Sequence, residues 1–200
     1  MIAPAFFVDV DTQRDFMDAD GALYVPGAVE IVETLETLTR FAVARGIPVV
    51  ATMDAHAPDD PEFARYPAHC VHGTRGGQKI PQTLLPRHVV LPNEPGGAVW
   101  EDVDQIILEK QAFSMFDNVH AEDVVRRLGI RRCVVYGVAT ECCVRADVLD
   151  LLARNYAVTL VTDAIRPLDP AAGAAAMAEM QARGAVLRSA AEVMRQLGTD

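Results

Sequence analysis

The sequence predicts a three-layer α/β/α fold around a central, mainly parallel sheet of about six strands. Short Val- and Ile-rich runs recur along the chain, and longer stretches with apolar residues three or four positions apart separate them. Such alternation is typical of a parallel sheet covered by helices on both faces. The 200 residues, 50% hydrophobic and 23% charged, suit one globular domain. We therefore expect a single domain over 1–200.

The predicted strands are short, continuous apolar runs rather than alternating ones, as expected for strands buried on both faces. They lie at about 5–10, 47–51, 106–110, 132–137 and 157–162, with 185–188 as the candidate for a sixth.

Helical periodicity is clearest over 28–45, which carries apolar residues at three- and four-residue steps and ends at Gly46. This pattern predicts an amphipathic helix closed by a glycine. A similar apolar pattern follows Cys143, and Pro170 begins an alanine-rich helix that runs to about Arg183.

The interval 52–105 is different, because seven prolines break it into loops. Within it, 92–104 is rich in Pro, Gly and acidic residues and is predicted to be a surface connection. A loop-rich excursion of this length inside a compact domain usually carries function.

The composition and the net charge indicate which partners the protein binds and which compartment it occupies. A net charge of −10 and a pI near 4.9 disfavour binding to nucleic acid or to an anionic membrane. No apolar run approaches the ~18 residues of a membrane span, and the first residues lack the basic region of a signal peptide. We expect a cytoplasmic protein whose four cysteines are free thiols, with Cys133 packed in the core.

Cys143 is the candidate nucleophile. A buried-strand pattern breaks at Gly137 and a helical pattern begins just beyond, which places Cys143 on the first turn of a helix. That position favours the thiolate and predicts a thiol pKa below the usual ~8.5. The alternative is that Cys143 is a small apolar core residue.

Asp11 and Lys110 each end an apolar run, as the turn with Cys143 does. Because ligands bind outside the carboxyl ends of parallel strands, we expect the three side chains to meet at one edge of the sheet. A carboxylate can take the thiol proton and later return it to a leaving group, while an ammonium favours the ionised forms of both partners.

Asp54 and His56 alternate just past a strand, so both side chains lie on one face of an extended chain, and His69 follows in the loop. Carboxylate and imidazole ligands suit zinc, iron or manganese. Asp-x-His is a short and common string, so these residues alone leave a structural role open. Surface or structural roles are also expected for His72, His88 and His120.

Three of these features resemble the signatures of the isochorismatase-like cysteine hydrolases: the segment 11–16, Lys110 and the segment 137–145. Within that family, 51–56 followed by 67–70 is similar to the metal site of the nicotinamidases, which isochorismatases proper generally lack. The resemblance implies one divalent transition metal per chain, zinc being expected, held by Asp54, His56 and His69.

The resemblance also implies a fourth, carboxylate ligand in some nicotinamidases at the position of Glu62, whose alternative is a solvated loop residue. It implies an oxyanion hole made by the backbone N–H groups of Ala139 and Cys143, with a cis peptide between 138 and 139. Phe16 and Tyr66 are expected to flank a flat substrate ring.

Three departures from the nicotinamidase pattern bear on the substrate more than on the chemistry. Tyr66 stands where tryptophan is often found, Cys142 stands where tyrosine is frequent, and the His-x-Ser-Phe stretch after Asp-x-His is absent from the sequence.

The resulting expectation is a metal-assisted, homo-oligomeric amidohydrolase that cleaves nicotinamide or a related small carboxamide through a thioester. Two alternatives stay open. One is a metal-independent hydrolase of the same family, acting on another small amide or an enol ether. The other is a catalytically silent protein that binds small molecules on the same scaffold.

Overall fold

The computed structural model describes residues 5–97 and 99–198, and within them seven strands form one sheet. The strands are β1 (Phe6–Val10), β2 (Val49–Asp54), β3 (His88–Leu91), β4 (Gln105–Lys110), β5 (Arg132–Val138), β6 (Ala157–Arg166) and β7 (Val186–Arg188). Their order is β3-β4-β2-β1-β5-β6-β7, and every neighbouring pair is parallel. The predicted fold class is confirmed.

The strand that the sequence did not predict is β3, inside the interval interpreted as loops. It lies at the edge of the sheet and pairs only with β4, and just one of its four residues is buried. An edge strand therefore needs no long apolar run, which explains the difference between about six and seven strands. The described residues of 92–104 contain no helix or strand, as expected of a connection.

Six α-helices cover the sheet within the described residues: α1 (Arg14–Met17), α2 (Ala28–Ala44), α3 (Ala121–Leu128), α4 (Arg145–Ala153), α5 (Pro170–Ala182) and α6 (Ala190–Gly198). The bounds of α2 and α5 follow the predicted ones closely. Pro170 occupies the first turn of α5, and the side chain of Asp169 caps that turn by accepting from the N–H of Ala172 at 2.7 Å.

Two apolar clusters fill the spaces on either side of the sheet. Alternate residues of β1 divide between them: Phe6 and Val8 belong to the cluster under α3, α4 and α5, whereas Phe7 belongs to the cluster under α2 and α6. The central strands of the sheet are therefore buried on both faces. No helix among the described residues is long and apolar enough to cross a membrane.

The order of the strands indicates where a ligand-binding cleft lies. The chain leaves β1 toward β2 on one side of the sheet and leaves β5 toward β6 on the other, although β1 and β5 are neighbours. The connections diverge at the carboxyl ends of these two strands. In open parallel sheets such a reversal of direction creates the ligand-binding cleft.

Candidate active site

The central group of side chains lies at the carboxyl ends of four strands. Asp11 follows β1, Asp54 ends β2, Lys110 ends β4, and Cys143 lies on the turn after β5. The ammonium of Lys110 donates to Asp11 Oδ2 at 2.8 Å and to Asp54 Oδ1, and it lies 3.5 Å from the Sγ of Cys143. All four residues are buried. The structure therefore brings the three predicted reactive residues together and adds Asp54 to them.

Asp11 is fixed at both carboxylate oxygens. Thr52 donates its hydroxyl to Oδ1 at 2.6 Å and accepts the backbone N–H of Asp11 at 3.1 Å, while Lys110 holds Oδ2. The backbone of Asp11 is in the left-handed region with φ 49°. A non-glycine residue in that region is uncommon and marks a position where the surroundings enforce a side-chain direction.

Cys143 lies on a π-helical turn, Thr140–Val144, which leads into α4. Gly137 precedes it with φ 122°, and a Cβ there would lie 2.1 Å from the carbonyl oxygen of Val10. Only glycine allows β5 to approach β1 so closely at this point. The peptide bond between Val138 and Ala139 is cis, as the family resemblance led us to expect. Single π turns of this kind are frequent at functional sites.

The prediction that the thiol pKa of Cys143 is lowered was wrong. Burial raises the pKa of this thiol well above its ordinary value, and the nearby ammonium of Lys110 offsets only part of that effect. Burial also raises the pKa of Asp11, in spite of the same ammonium. The thiol of Cys143 is therefore protonated, and it would have to lose its proton to act as a nucleophile.

We expect iodoacetamide to label resting Cys143 slowly at pH 7 and increasingly as the pH rises, because the thiolate is the reactive form and burial disfavours it. The measurement is the labelling rate against pH, read on the peptide that contains Cys143. A rate that reaches its plateau below pH 8 would restore the interpretation of a preformed thiolate.

Three of the predicted metal ligands converge beside this group. Asp54 Oδ2 lies 3.7 Å from His56 Nε2 and 3.8 Å from His69 Nε2, and Glu62 Oε2 lies 4.0 Å from His56 Nε2. Two donor atoms that share a zinc ion at about 2.1 Å each lie no more than about 4.2 Å apart. Among the described residues, buried His56 Nε2 has no hydrogen-bond partner. The donor set therefore fits an ion.

The other ring nitrogens are occupied, which directs the Nε2 atoms to the same point. His56 Nδ1 lies 3.0 Å from Asp60 Oδ2, and His69 Nδ1 lies 2.8 Å from the carbonyl oxygen of Pro67. Burial alone would lower the pKa of His56, but the carboxylates of Asp54 and Asp60 raise it to about 9. The carboxylates thus attract a positive charge to this position, which a proton or a metal ion can provide.

A small cleft opens over these residues. Phe16 and Tyr66 line it, as predicted for residues that contact the substrate. The ring of His69 lies 5.4 Å from that of Phe16 and 6.3 Å from that of Tyr66, centre to centre. The lining also includes Leu23, Asp54, Glu62, His69, Phe113, Ala139, Cys142, Cys143 and Leu168. The lining therefore combines polar side chains with apolar and aromatic ones, as small-molecule sites do.

Gln13 is a positioning residue that the sequence analysis missed. Its side-chain amide donates to the carbonyl oxygens of Asp54 and Gly77, each at 2.8 Å, and its carbonyl accepts the N–H of Asp54 at 2.7 Å. Gln13 is fully buried and clamps the end of β2 to the loop that follows His69. Its place in the segment 11–16 was the only available signal.

The remaining histidines lie outside the cleft lining, in agreement with their predicted roles. His72 is exposed and lies 3.6 Å from Glu109, while His88 and His120 contact backbone carbonyl oxygens. All four cysteines are free thiols, and Cys133 is buried in the core as predicted.

Comparison with known proteins agrees with this geometry. A family model described as the isochorismatase domain matches residues 5–192. A nicotinamidase of Escherichia coli (strain K12) is 32% identical, over 94% of this chain and 96% of that protein. The crystal structure of a pyrazinamidase of Pyrococcus horikoshii in complex with zinc superposes with a TM-score of 0.80 at 31% identity, covering 93% and 99% of the chains. A probable inactive nicotinamidase of Arabidopsis thaliana is 26% identical, over 80% of each chain.

Proposed function

The chain belongs to the isochorismatase family, and from that premise we propose that it is a metal-assisted cysteine amidohydrolase of the nicotinamidase type. It hydrolyses nicotinamide, or a related small carboxamide, to the acid and ammonia. The observation that carries the proposal is that the buried ammonium of Lys110 contacts the sulfur of Cys143 and the carboxylates of Asp11 and Asp54. Nucleophile, base and metal-ligand candidate thus form one connected group.

The first half of the reaction forms a thioester. Asp11 takes the proton of the Cys143 thiol as the sulfur attacks the carboxamide carbon. The developing oxyanion accepts hydrogen bonds from the backbone N–H groups of Cys143 and Ala139, a contribution worth about 3 kcal/mol per donor. The carbon–nitrogen bond then breaks, and the leaving nitrogen takes the proton from Asp11 and departs as ammonia.

The second half regenerates the thiol. Asp11, ionised again, removes a proton from water as the water oxygen attacks the thioester carbon. The carbon–sulfur bond breaks, the acid leaves, and the Cys143 sulfur recovers its proton from Asp11. Lys110 compensates the negative charge on both residues throughout, because it contacts both and is fully buried.

Asp54, His56 and His69 would hold the metal ion, with Glu62 as a fourth ligand. When bound, the ion supplies a Lewis acid that holds the substrate and polarises it. We propose zinc, since carboxylate and imidazole donors suit it and the similar pyrazinamidase structure contains it. Phe16 and Tyr66 contact the two sides of the substrate ring.

The location and assembly are part of the proposal. We place the enzyme in the cytoplasm, because its four cysteines are free thiols, and we propose a homo-oligomer that uses no nucleic acid or membrane as a partner.

A panel of small amides tests the function: nicotinamide, pyrazinamide, maleamate, ureidoacrylate and biuret, with ammonia release as the readout. We expect the metal-loaded protein to hydrolyse the pyridine or pyrazine carboxamide fastest. Equal turnover by metal-free protein would favour a metal-independent hydrolase. Release from none of the five would favour a silent binding protein, which the inactive relative in Arabidopsis thaliana makes the second candidate.

We expect about one divalent transition ion per chain in protein purified without an affinity tag. Removing the ion should weaken substrate binding more than it changes alkylation of Cys143, because the metal-ligand candidates Asp54 and His69 line the cleft whereas Lys110 contacts the sulfur. Elemental analysis measures the metal content, and substrate affinity and the rate of Cys143 alkylation are compared with and without the ion. No bound metal, or a change in alkylation as large as the change in binding, would contradict the division of roles.

A further inference from the structure

Asp60 contacts two of the four proposed metal ligands through one carboxylate. It precedes a short 3₁₀ turn, Pro61–Ala64, and its Oδ1 accepts the backbone N–H of Glu62 at 2.9 Å. Its Oδ2 lies 3.0 Å from the Nδ1 of His56. The sequence analysis did not single out this residue, since Asp59 and Asp60 are adjacent acids in a proline-rich loop.

The contact with His56 determines which ring nitrogen is available. One carboxylate oxygen of Asp60 accepts the backbone N–H of Glu62, and the other faces Nδ1 of His56 at hydrogen-bond distance. Nδ1 of His56 therefore donates to Asp60, and Nε2, the atom without a hydrogen-bond partner among the described residues, is the ring nitrogen left to bind a metal ion. A carboxylate in this position orients a metal-binding imidazole and raises its basicity.

The contact with Glu62 fixes the turn that carries the fourth candidate ligand. Pro61 and Ala64 are exposed, so packing does little to hold this turn in place. The Asp60 side chain instead caps it, as N-cap carboxylates do at the start of helices. With its backbone held, Glu62 points its Oε2 to within 4.0 Å of His56 Nε2.

We propose that Asp60 is a positioning residue which assembles the metal site by fixing the orientations of His56 and Glu62 relative to each other. This inference rests on the proposed metal-assisted function. It makes the loop over 57–64 part of the metal centre and gives Asp60 a role distinct from that of the ligands themselves.

The test is the Zn²⁺ affinity of the full chain, measured by competition with a chromophoric chelator. Asp60→Ala should lower the affinity by ~10- to 100-fold, the usual effect of losing a group that supports a metal ligand. Asp59→Ala is the matched control, because it removes the same charge from an exposed neighbour, and we expect a change below about twofold. The comparison separates positioning from general electrostatic attraction.

Two further variants resolve the dual role. Asp60→Asn keeps an oxygen that accepts the N–H of Glu62, but its NH₂ group then faces Nδ1 of His56 and cannot accept from it. We therefore expect an intermediate loss of Zn²⁺ affinity. Glu62→Ala should cost ~10-fold on its own. In the double variant Asp60→Ala/Glu62→Ala the loss should be smaller than the product of the two single losses, because Asp60 acts partly through Glu62.

The spectrum of bound cobalt(II) reports on the coordination of the metal, which a purely structural role of Asp60 would leave unchanged. The visible d–d spectrum of Co²⁺-loaded Asp60→Ala should shift toward that of Glu62→Ala, whereas Asp59→Ala should match wild type. Thermal unfolding of the metal-free proteins identifies any variant that fails to fold, and Asp60→Asn then serves in place of Asp60→Ala.

The inference is overturned if Asp60→Ala and Asp60→Asn bind Zn²⁺ as Asp59→Ala does and show the wild-type Co²⁺ spectrum. Absence of Zn²⁺ binding by wild type would overturn the metal part of the proposed function together with this inference. If wild type binds Zn²⁺ and the Asp60 variants lose it, the inference stands whichever amide proves to be the substrate.

Discussion

Cys143→Ala is expected to reduce amide turnover by ~10⁴-fold or more, as loss of the nucleophile does in other covalent hydrolases. The expected cause is chemical, since no other described thiol lies within hydrogen-bond reach of Lys110. The fold should survive, because the change removes one sulfur atom from a buried position and typically costs about 1 kcal/mol. Steady-state ammonia release and thermal unfolding measure the two effects.

Cys142→Ala is the matched control. This neighbouring thiol also lines the cleft, but it is only half-buried and its pKa is raised to about 11 by burial and by the carboxylate of Glu141. Substantial activity should remain. If Cys142→Ala were inactive and Cys143→Ala active, the nucleophile would be the wrong one of the pair.

Asp11→Asn is expected to lose ~100-fold or more in kcat/KM, because general acid–base steps contribute ~10²–10⁴ and an amide cannot take the thiol proton. Asparagine is nearly isosteric, and its one carbonyl oxygen can still accept from Thr52 or from Lys110. The pH profile gives the sharper readout. Asp11 acts as a base only when ionised, so wild-type activity falls as the pH drops through its pKa.

Burial raises that pKa, so the acid limb should lie at a higher pH than an ordinary carboxyl would give. In Asp11→Asn this limb should disappear from the residual activity. Unchanged kcat/KM, or an acid limb that persists in the variant, would assign the general base to another group. Thr39→Val, a buried change distant from the cleft lining, controls for unspecific effects on the fold.

Asp54 connects the two groups of candidate residues. Its Oδ1 accepts from Lys110, and its Oδ2 faces His56 and His69. Burial opposes ionisation of Asp54, but the ammonium of Lys110 holds its pKa below the ordinary range. A single carboxylate thus links the candidate nucleophile, through Lys110, to the metal-ligand candidates, whereas the sequence analysis had treated Lys110 and Asp54 as members of separate groups.

Strand ends were the most predictable part of the site. Parallel pairing brings the carboxyl ends of β1, β4 and β5 to one edge, so Asp11, Lys110 and Cys143 followed from local apolar patterns alone. The strand β3 did not follow from such a pattern, because an edge position tolerates exposed residues.

Properties that depend on the path of loops were beyond prediction. The side chains of Thr52, Gln13 and Asp60 act through individual hydrogen bonds across 41, 41 and 4 positions, and no periodicity signals such partners. The predicted direction of the pKa shift of Cys143 was wrong for the same reason. Its place near a helix start was visible in the sequence, but the extent of its burial is a tertiary property.

The central claim is that amide hydrolysis passes through a thioester on Cys143, and partitioning with hydroxylamine tests it directly. A thioester can be intercepted by hydroxylamine, so turnover of nicotinamide by the metal-loaded protein should yield hydroxamate at the expense of acid. The sum of acid and hydroxamate should equal the ammonia released, and Cys143→Ala should form neither. Acid as the sole acyl product at every hydroxylamine concentration, with ammonia release intact, would contradict a covalent intermediate.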